Sequence, residues 1–153
     1  MTPVAYAKYY INDPNAPKPN RPTHLGVNVL VEYDGKLLLE RRRDCGQWGL
    51  PGGKVQGREP EVKAIAREVR EETGLWLPES SFERVKVFSE RGRIASYADG
   101  SVWRMVVILY RVKLDKKPEL RVSKESKELG WFTRQELQTL SIPVTHQDMV
   151  KLF

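Results

Sequence analysis

The stretch GKVQGREPEVKAIAREVREETGL, Gly53 to Leu75, decides how the rest of the chain is read. It opens as a glycine-containing loop. From Pro60 onward Val62, Ile65, Ala66 and Val69 recur at helical spacing and form one apolar stripe. Pro60 suits a first helical position, and Gly74 suits the left-handed residue that closes a helix. Glu68, Glu71 and Glu72 share an arc of about 100° beside that stripe. Like charges three and four apart weaken a helix by roughly a few tenths of a kcal/mol per pair. These also stand near the C-terminal end, where the helix dipole disfavours anions. Such a helix wants a compensating cation, and hard carboxylate oxygens suit Mg²⁺ or Mn²⁺. Taken alone, REVREE has a plainer account as a solvated acidic face neutralised by Arg67 and Arg70.

Working outward, LGVNVLVEYD (Leu25 to Asp34) is β-rich and ends at Asp34-Gly35, a hairpin turn signal; KLLLERR (Lys36 to Arg42) returns as a second strand. Gly46 to Pro60 reads as a glycine-rich loop. Beyond the helix, FERVKVFSE (Phe82 to Glu90) and VWRMVVILYRVKL (Val102 to Leu114) read as strands, separated by a loop containing Asp99-Gly100. Leu129 to Phe132 reads as a short strand. Thr133 and Glu136 have capping-box spacing for a helix over Gln135 to Leu140, and Pro143, Thr145 and the MVKLF ending suggest a last short helix. Residues 12–22 hold four prolines and three asparagines, which excludes helix or central strand. Residues 1–22 are therefore expected to form an extended arm anchored by Tyr6, Tyr9 and Tyr10, and residues 23–153 a single mixed α/β domain.

The length of 153 residues is enough for one hydrophobic core. With 40% hydrophobic and 30% charged residues the chain is expected to be a soluble globular protein, not a disordered or fibrous one. No apolar run approaches the roughly 18 residues of a membrane span, and MTPVAYAKYY shows no basic-then-apolar leader. Cys45 is the single cysteine, which excludes an internal disulfide and a cysteine-rich zinc site and makes the reducing cytoplasm the expected compartment. The formal net charge of +6 favours anionic partners. Residues 111–127 carry seven Lys or Arg against three acids. That strip reads either as a phosphate- or RNA-attracting surface or, since no aromatic residue interleaves it, as plain solubility.

In full, the opening stretch is G-x5-E-x7-R-E-V-x-E-E-x-G-L, carried by Gly53, Glu59, Arg67, Glu68, Val69, Glu71, Glu72, Gly74 and Leu75. Every fixed position of the Nudix box is present, so the chain resembles a Nudix hydrolase. The Trp48 to Gly53 run ahead of the box and the order of the remaining elements are similar to that family too. The resemblance implies an α/β/α sandwich with a mixed sheet, and a loop–helix–loop catalytic motif. It implies metal-dependent hydrolysis of a diphosphate bond in a nucleoside diphosphate linked to another group X. A divalent ion would polarise the diphosphate and acidify the attacking water. By the same resemblance Glu68, Glu71 and Glu72 are expected as metal ligands, with Glu68 alternatively the general base, and the Gly52 carbonyl as a further ligand. Glu59 and Arg67 are expected to pair and hold the loop against the helix. One more acid from a loop beyond the box is expected at Glu125, with Glu128 the alternative and Glu90 and Asp99 behind them.

Arg41, Arg42 and Arg43 end the second strand, where alternation sends Arg41 and Arg43 to one face; these two, with Lys54, are the expected phosphate-binding residues. Trp48 and Trp103 are candidates for stacking on a base, against a packing role; Trp131 reads as core. His24 and His146 read as surface or capping residues, and Cys45 lacks an activating partner. The box identifies the reaction and leaves X open. A proline some fifteen residues past it would resemble the ADP-ribose class, but Glu90 stands there; for a diadenosine polyphosphate class the nearest tyrosine, Tyr97, is late. Two rival readings stand beside a small nucleotide substrate. One is removal of pyrophosphate from an RNA 5′ end, the other a non-catalytic nucleotide-binding regulatory module. The proline-rich arm also suits a homodimer.

Overall fold

The computed structural model describes residues 7–124 and 126–153, so Tyr6 and Glu125 lie outside the described residues. In chain order the elements are β1 (Ala7–Ile11), β2 (His24–Tyr33), β3 (Lys36–Arg42), β4 (Trp48–Gly49), β5 (Gly52–Lys54), α1 (Glu61–Thr73), β6 (Glu83–Phe88), β7 (Arg93–Tyr97), β8 (Val102–Leu114), β9 (Ser126–Phe132), α2 (Arg134–Leu137) and α3 (Val144–Val150). The centre of the sheet is the parallel pair β2 and β8, in register from His24 opposite Met105 to Tyr33 opposite Leu114. β3 returns antiparallel beside β2 through Asp34-Gly35, both at positive φ, the geometry that turn dipeptide favours. β3 then pairs with β4 and β9, β5 with β2, and β6 and β7 with separate stretches of β8.

Side-chain alternation divides the interior into two cores on opposite faces of this sheet. Val27, Val29 and Val31 of β2, Leu38 of β3 and Ile108, Tyr110 and Val112 of β8 pack with Ala64, Ile65 and Val69 of α1. Leu30, Leu37, Leu39, Val107 and Leu109 face the other way, against Ile142, Met149 and Val150 around α3. The mixed sheet between helices is the α/β class expected. Because β2 is buried on both faces, its apolar residues do not alternate with exposed polar ones, and Asn28 is buried among them.

α1 begins one residue after Pro60, which caps it with extended backbone, and ends on left-handed Gly74, whose N–H reaches the Arg70 carbonyl at 3.0 Å. The Thr133/Glu136 capping box forms at the start of α2. Two expectations are corrected. The Gly46 to Pro60 loop contains the short strands β4 and β5, and RIASY, read as loop, forms β7. β1 pairs with β7 of its own chain, while residues 12–22 form neither helix nor strand. Among the described residues no helix is long and apolar enough to cross a membrane.

Candidate active site

One end of α1, the β5 backbone and the β3 strand close around a cavity of about 610 Å³. Glu72 lines it and is 5% exposed, its Oε2 accepting the Gly52 N–H at 3.0 Å. Glu68, one turn earlier on the same face, lines it as well. The loop packs too closely for a side chain at Gly52, where a Cβ would lie 2.0 Å from the Val27 carbonyl oxygen of β2. A Cβ at Gly53 would lie 2.4 Å from Glu68 Oε1 and displace that carboxylate.

Arg67 fixes the geometry. Its Nε and Nη2 donate to the two oxygens of Glu59 at 2.8 and 3.0 Å, and Nη2 also reaches the Lys54 carbonyl at 3.1 Å. Its Nη1 donates to Glu68 at 3.0 Å and to Glu71 at 3.2 Å. One guanidinium therefore joins the loop, the β5 strand and the helix, with Glu59 held below the usual carboxylate range by its hydrogen bonds to Arg67. Glu71 is more than half exposed and does not line the cavity.

The acid opposite Glu72 is Glu40, which the sequence reading passed over. It sits inside KLLLERR on β3, is 6% exposed, and accepts the Ser126 hydroxyl at 2.6 Å. Burial pushes the Glu72 carboxyl well up, and the charges of Glu40 and Glu68 push it further. Burial also raises Glu40 and Glu68, although Ser126 and Arg67 respectively oppose the rise. The metal-free site is thus a row of carboxyls of raised proton affinity, with Glu72 in the middle. Among the described residues no three His, Cys, Asp or Glu side chains converge on one ion-sized point.

The other wall comes from β1, β7 and α3. Asp44 receives a two-pronged contact from Arg42, at 2.9 and 2.7 Å, and the Tyr9 hydroxyl at 3.1 Å. Arg93, with no exposed side-chain surface, donates to Glu90, Asp148 and the Thr145 carbonyl. His146 corrects the surface assignment: it is 7% exposed, and its Nδ1 accepts the Leu50 N–H at 3.0 Å. Nothing in the sequence around it separates it from an exposed histidine on a short helix. His24 is half-buried, edge-on to Trp103.

Of the expected phosphate contacts, Arg43 and Lys54 line the cavity, and Arg42 does too. Arg41 lies outside it, paired at 3.4 Å with Glu128, which is also exposed and outside. Trp48 and Trp131 pack edge-on against Phe132 and Tyr33. Glu90 serves Arg93, and Asp99 serves Ser101.

A cavity lined by buried carboxylates and, on the same rim, by Lys54 and Arg43 fits a ligand that brings both cations and phosphates. The chain belongs to the Nudix family: the NUDIX domain model matches residues 22–153. A MutT-like protein of Streptomyces ambofaciens is 36% identical over 111 residues, 72% of this chain and 64% of that protein, so the match leaves about a third of the relative unspanned. Nucleoside triphosphatase NudI of Enterobacter sp. (strain 638) is 31% identical, over 76% of this chain and 86% of its own. The fold is similar to that of a bifunctional NMN adenylyltransferase/ADP ribose pyrophosphatase of Francisella tularensis, complexed with AMP and a Mn ion. That likeness has a TM-score of 0.71 at 21% identity, over 88% of this chain and 42% of that one. The protein is thus a member of the Nudix hydrolase family.

Proposed function

We propose that the chain hydrolyses a phosphoric anhydride bond of a small nucleotide, nucleoside triphosphates foremost, with Mg²⁺ or Mn²⁺ as cofactor. The observation that carries this reading is the buried row Glu40, Glu72, Glu68. Three carboxyls held together at the expense of their ionisation form a site that a hard divalent cation would discharge, and their oxygens are the donors such ions prefer. Glu68 and Glu72 would hold the metal with the Gly52 carbonyl, and Glu71 would join from the outer side. Glu125 remains proposed as a further acid. When bound, the ion supplies polarisation of the diphosphate and a more acidic water. The chain's own residues do the rest. Arg67 keeps the loop and the helix in register, Lys54 and Arg43 bind phosphate oxygens, and a carboxylate of the row accepts the proton of the attacking water. The triphosphate preference draws on the NudI relative, with ADP-ribose and other nucleoside diphosphate derivatives next in order.

The test is phosphate and pyrophosphate release from a panel of nucleoside triphosphates, ADP-ribose, nucleotide sugars, dinucleoside polyphosphates and triphosphorylated RNA, with and without millimolar Mg²⁺ or Mn²⁺. Metal-dependent cleavage of the triphosphates supports the reading. Cleavage of RNA alone, collapsing steeply with salt, overturns the substrate assignment. Nucleotide binding with no cleavage of any member overturns the hydrolysis and leaves a regulatory binding module.

A further inference from the structure

Besides the carboxylates, the cavity holds two buried polar side chains whose hydrogen-bonding capacity is only half used. Asn28 of β2 is 8% exposed, and its Nδ2 donates to the carbonyls of Leu50 and Pro51, each at 3.2 Å. Both donors are therefore engaged, and Oδ1 is what the amide has left to offer. His146 of α3 accepts the Leu50 N–H on Nδ1, which leaves the proton of the neutral ring on Nε2. Burial, and then the Arg42 and Arg93 charges, keep that ring neutral, pushing its pKa down to about 3. Close packing enforces the arrangement, since a Cβ at Gly49 would lie 3.0 Å from His146 Nδ1 and one at Gly52 would lie 2.5 Å from Asn28 Nδ2.

Neither Asn28 Oδ1 nor His146 Nε2 has a hydrogen-bond partner among the described residues, and both residues line the cavity. One residue, Leu50, orients both groups, the imidazole through its N–H and the amide through its carbonyl. The cavity is thereby given one acceptor and one donor of fixed sense. A phosphate at neutral pH presents acceptors, which would suit Nε2–H and face Oδ1 with like polarity. The edge of a nucleobase presents a donor and an acceptor side by side. Met105, Val107 and Met149 line the same cavity, and an apolar, sulfur-bearing surface suits a flat aromatic ring.

We propose that Asn28 and His146 read the hydrogen-bonding edge of the substrate's nucleobase, Oδ1 taking an N–H and Nε2–H giving to a carbonyl oxygen or ring nitrogen, and so set base preference. The inference rests on the nucleotide reading above. Its test is equilibrium dialysis of metal-free protein against the nucleoside monophosphates, their edge-methylated forms and ribose 5-phosphate. The wild type should bind at least one base about tenfold more tightly than ribose 5-phosphate, the effect of one or two directional hydrogen bonds. His146→Asn keeps an acceptor near the Nδ1 position and removes Nε2. It should retain the thermal midpoint and bind that monophosphate only as well as ribose 5-phosphate. Methylating the base edge should do the same to the unaltered protein, a measurement that needs no variant to fold. Equal wild-type affinity for ribose 5-phosphate and every monophosphate would overturn the proposal, as would a preference that survives edge methylation. Hydrolysis without base preference overturns the recognition and leaves the chemistry standing. Base-selective binding without hydrolysis does the reverse.

Discussion

The two walls of the cavity handle buried charge in opposite ways. On the α1 side, Glu68 and Glu72 lie with Glu40 in one row where burial raises the proton affinity of all three, and the charges of Glu40 and Glu68 raise that of Glu72 further. On the α3 side each buried charge is matched. Asp44 takes Arg42 and Tyr9, and Arg93 takes two carboxylates and a backbone carbonyl while its guanidinium lies 4.9 Å from the Phe88 ring centroid. Burial works against the Asp44 charge too, yet the Arg42 fork outweighs it and holds that carboxyl below its usual range. A wall that neutralises its own charges needs no cation to hold its shape. A wall whose charges stay unsatisfied until something arrives is where a cation belongs.

Breaking the unsatisfied wall should have the largest effect on activity. Glu72→Gln removes the central carboxylate while keeping an acceptor oxygen for the Gly52 N–H. Metal-dependent turnover should fall by about a thousandfold, the scale of losing a group that stabilises the transition state directly. The metal-free variant should unfold at the same temperature or higher, because a repelled, desolvated charge is gone. Near-full activity would remove Glu72 from the ligand set.

Breaking the matched wall should act on stability instead. Arg93→Met leaves Glu90 and Asp148, each about a third exposed, and the Thr145 carbonyl without their shared cation. Loss of one member of a buried ion network costs about 3 kcal/mol. Urea unfolding at neutral pH measures it, and a loss under about 1 kcal/mol would mean that the carboxylates resolvate freely and that the network is no scaffold.

The same contrast explains what could be read from the chain. The α1 wall is local in sequence: Glu59, Arg67, Glu68 and Glu72 fall within fourteen residues on a loop and one helix, so helical spacing put Glu68 and Glu72 on one face and the family resemblance paired Arg67 with Glu59. The β-rich composition and the Asp34-Gly35 turn signal gave the hairpin β2–β3, and composition gave the long β8, for the same reason. The α3 wall joins positions about a hundred residues apart, such as Leu50 with His146, through tertiary packing that leaves no periodic mark. Glu40 was hidden differently. Inside an otherwise apolar strand it looks like a charge at the strand's end, and its burial depends on β9 bringing Ser126 alongside. Glu71 differs the other way: it has the same spacing as its neighbours, yet Arg67 holds it on the exposed side of the helix. β7 was missed because RIASY is short; it makes a local hairpin with the start of β8 around Asp99-Gly100, but its other partner, β1, is distant in sequence.

The smallest expected effect sharpens the comparison most, because the walls should titrate with opposite sign. His146 has its pKa depressed in the folded state, to about 3 from an ordinary 6.5. Between those values the unfolded chain takes up a proton that the folded protein refuses, so this contribution to stability is complete above pH 6.5 and is lost as the pH falls, by up to about 1.4 kcal/mol per unit. Glu72 has its pKa raised in the folded state. Acidification through that value lets the folded protein bind a proton that the unfolded chain does not yet hold, so stability is regained on the way down towards the ordinary carboxyl range near 4.5. In the metal-free wild type the two trends offset each other. Glu72→Gln removes the second, so between pH 6.5 and 5 its urea midpoint should fall more steeply than the wild type's, although it starts level or higher at pH 7.5. Saturating Mg²⁺ should steepen the wild-type profile in the same direction, because a cation held by ionised carboxylates is released as they protonate. Parallel profiles for wild type and variant would mean that Glu72 carries no proton the unfolded chain lacks, and the distinction between an unsatisfied and a satisfied wall would fall with it.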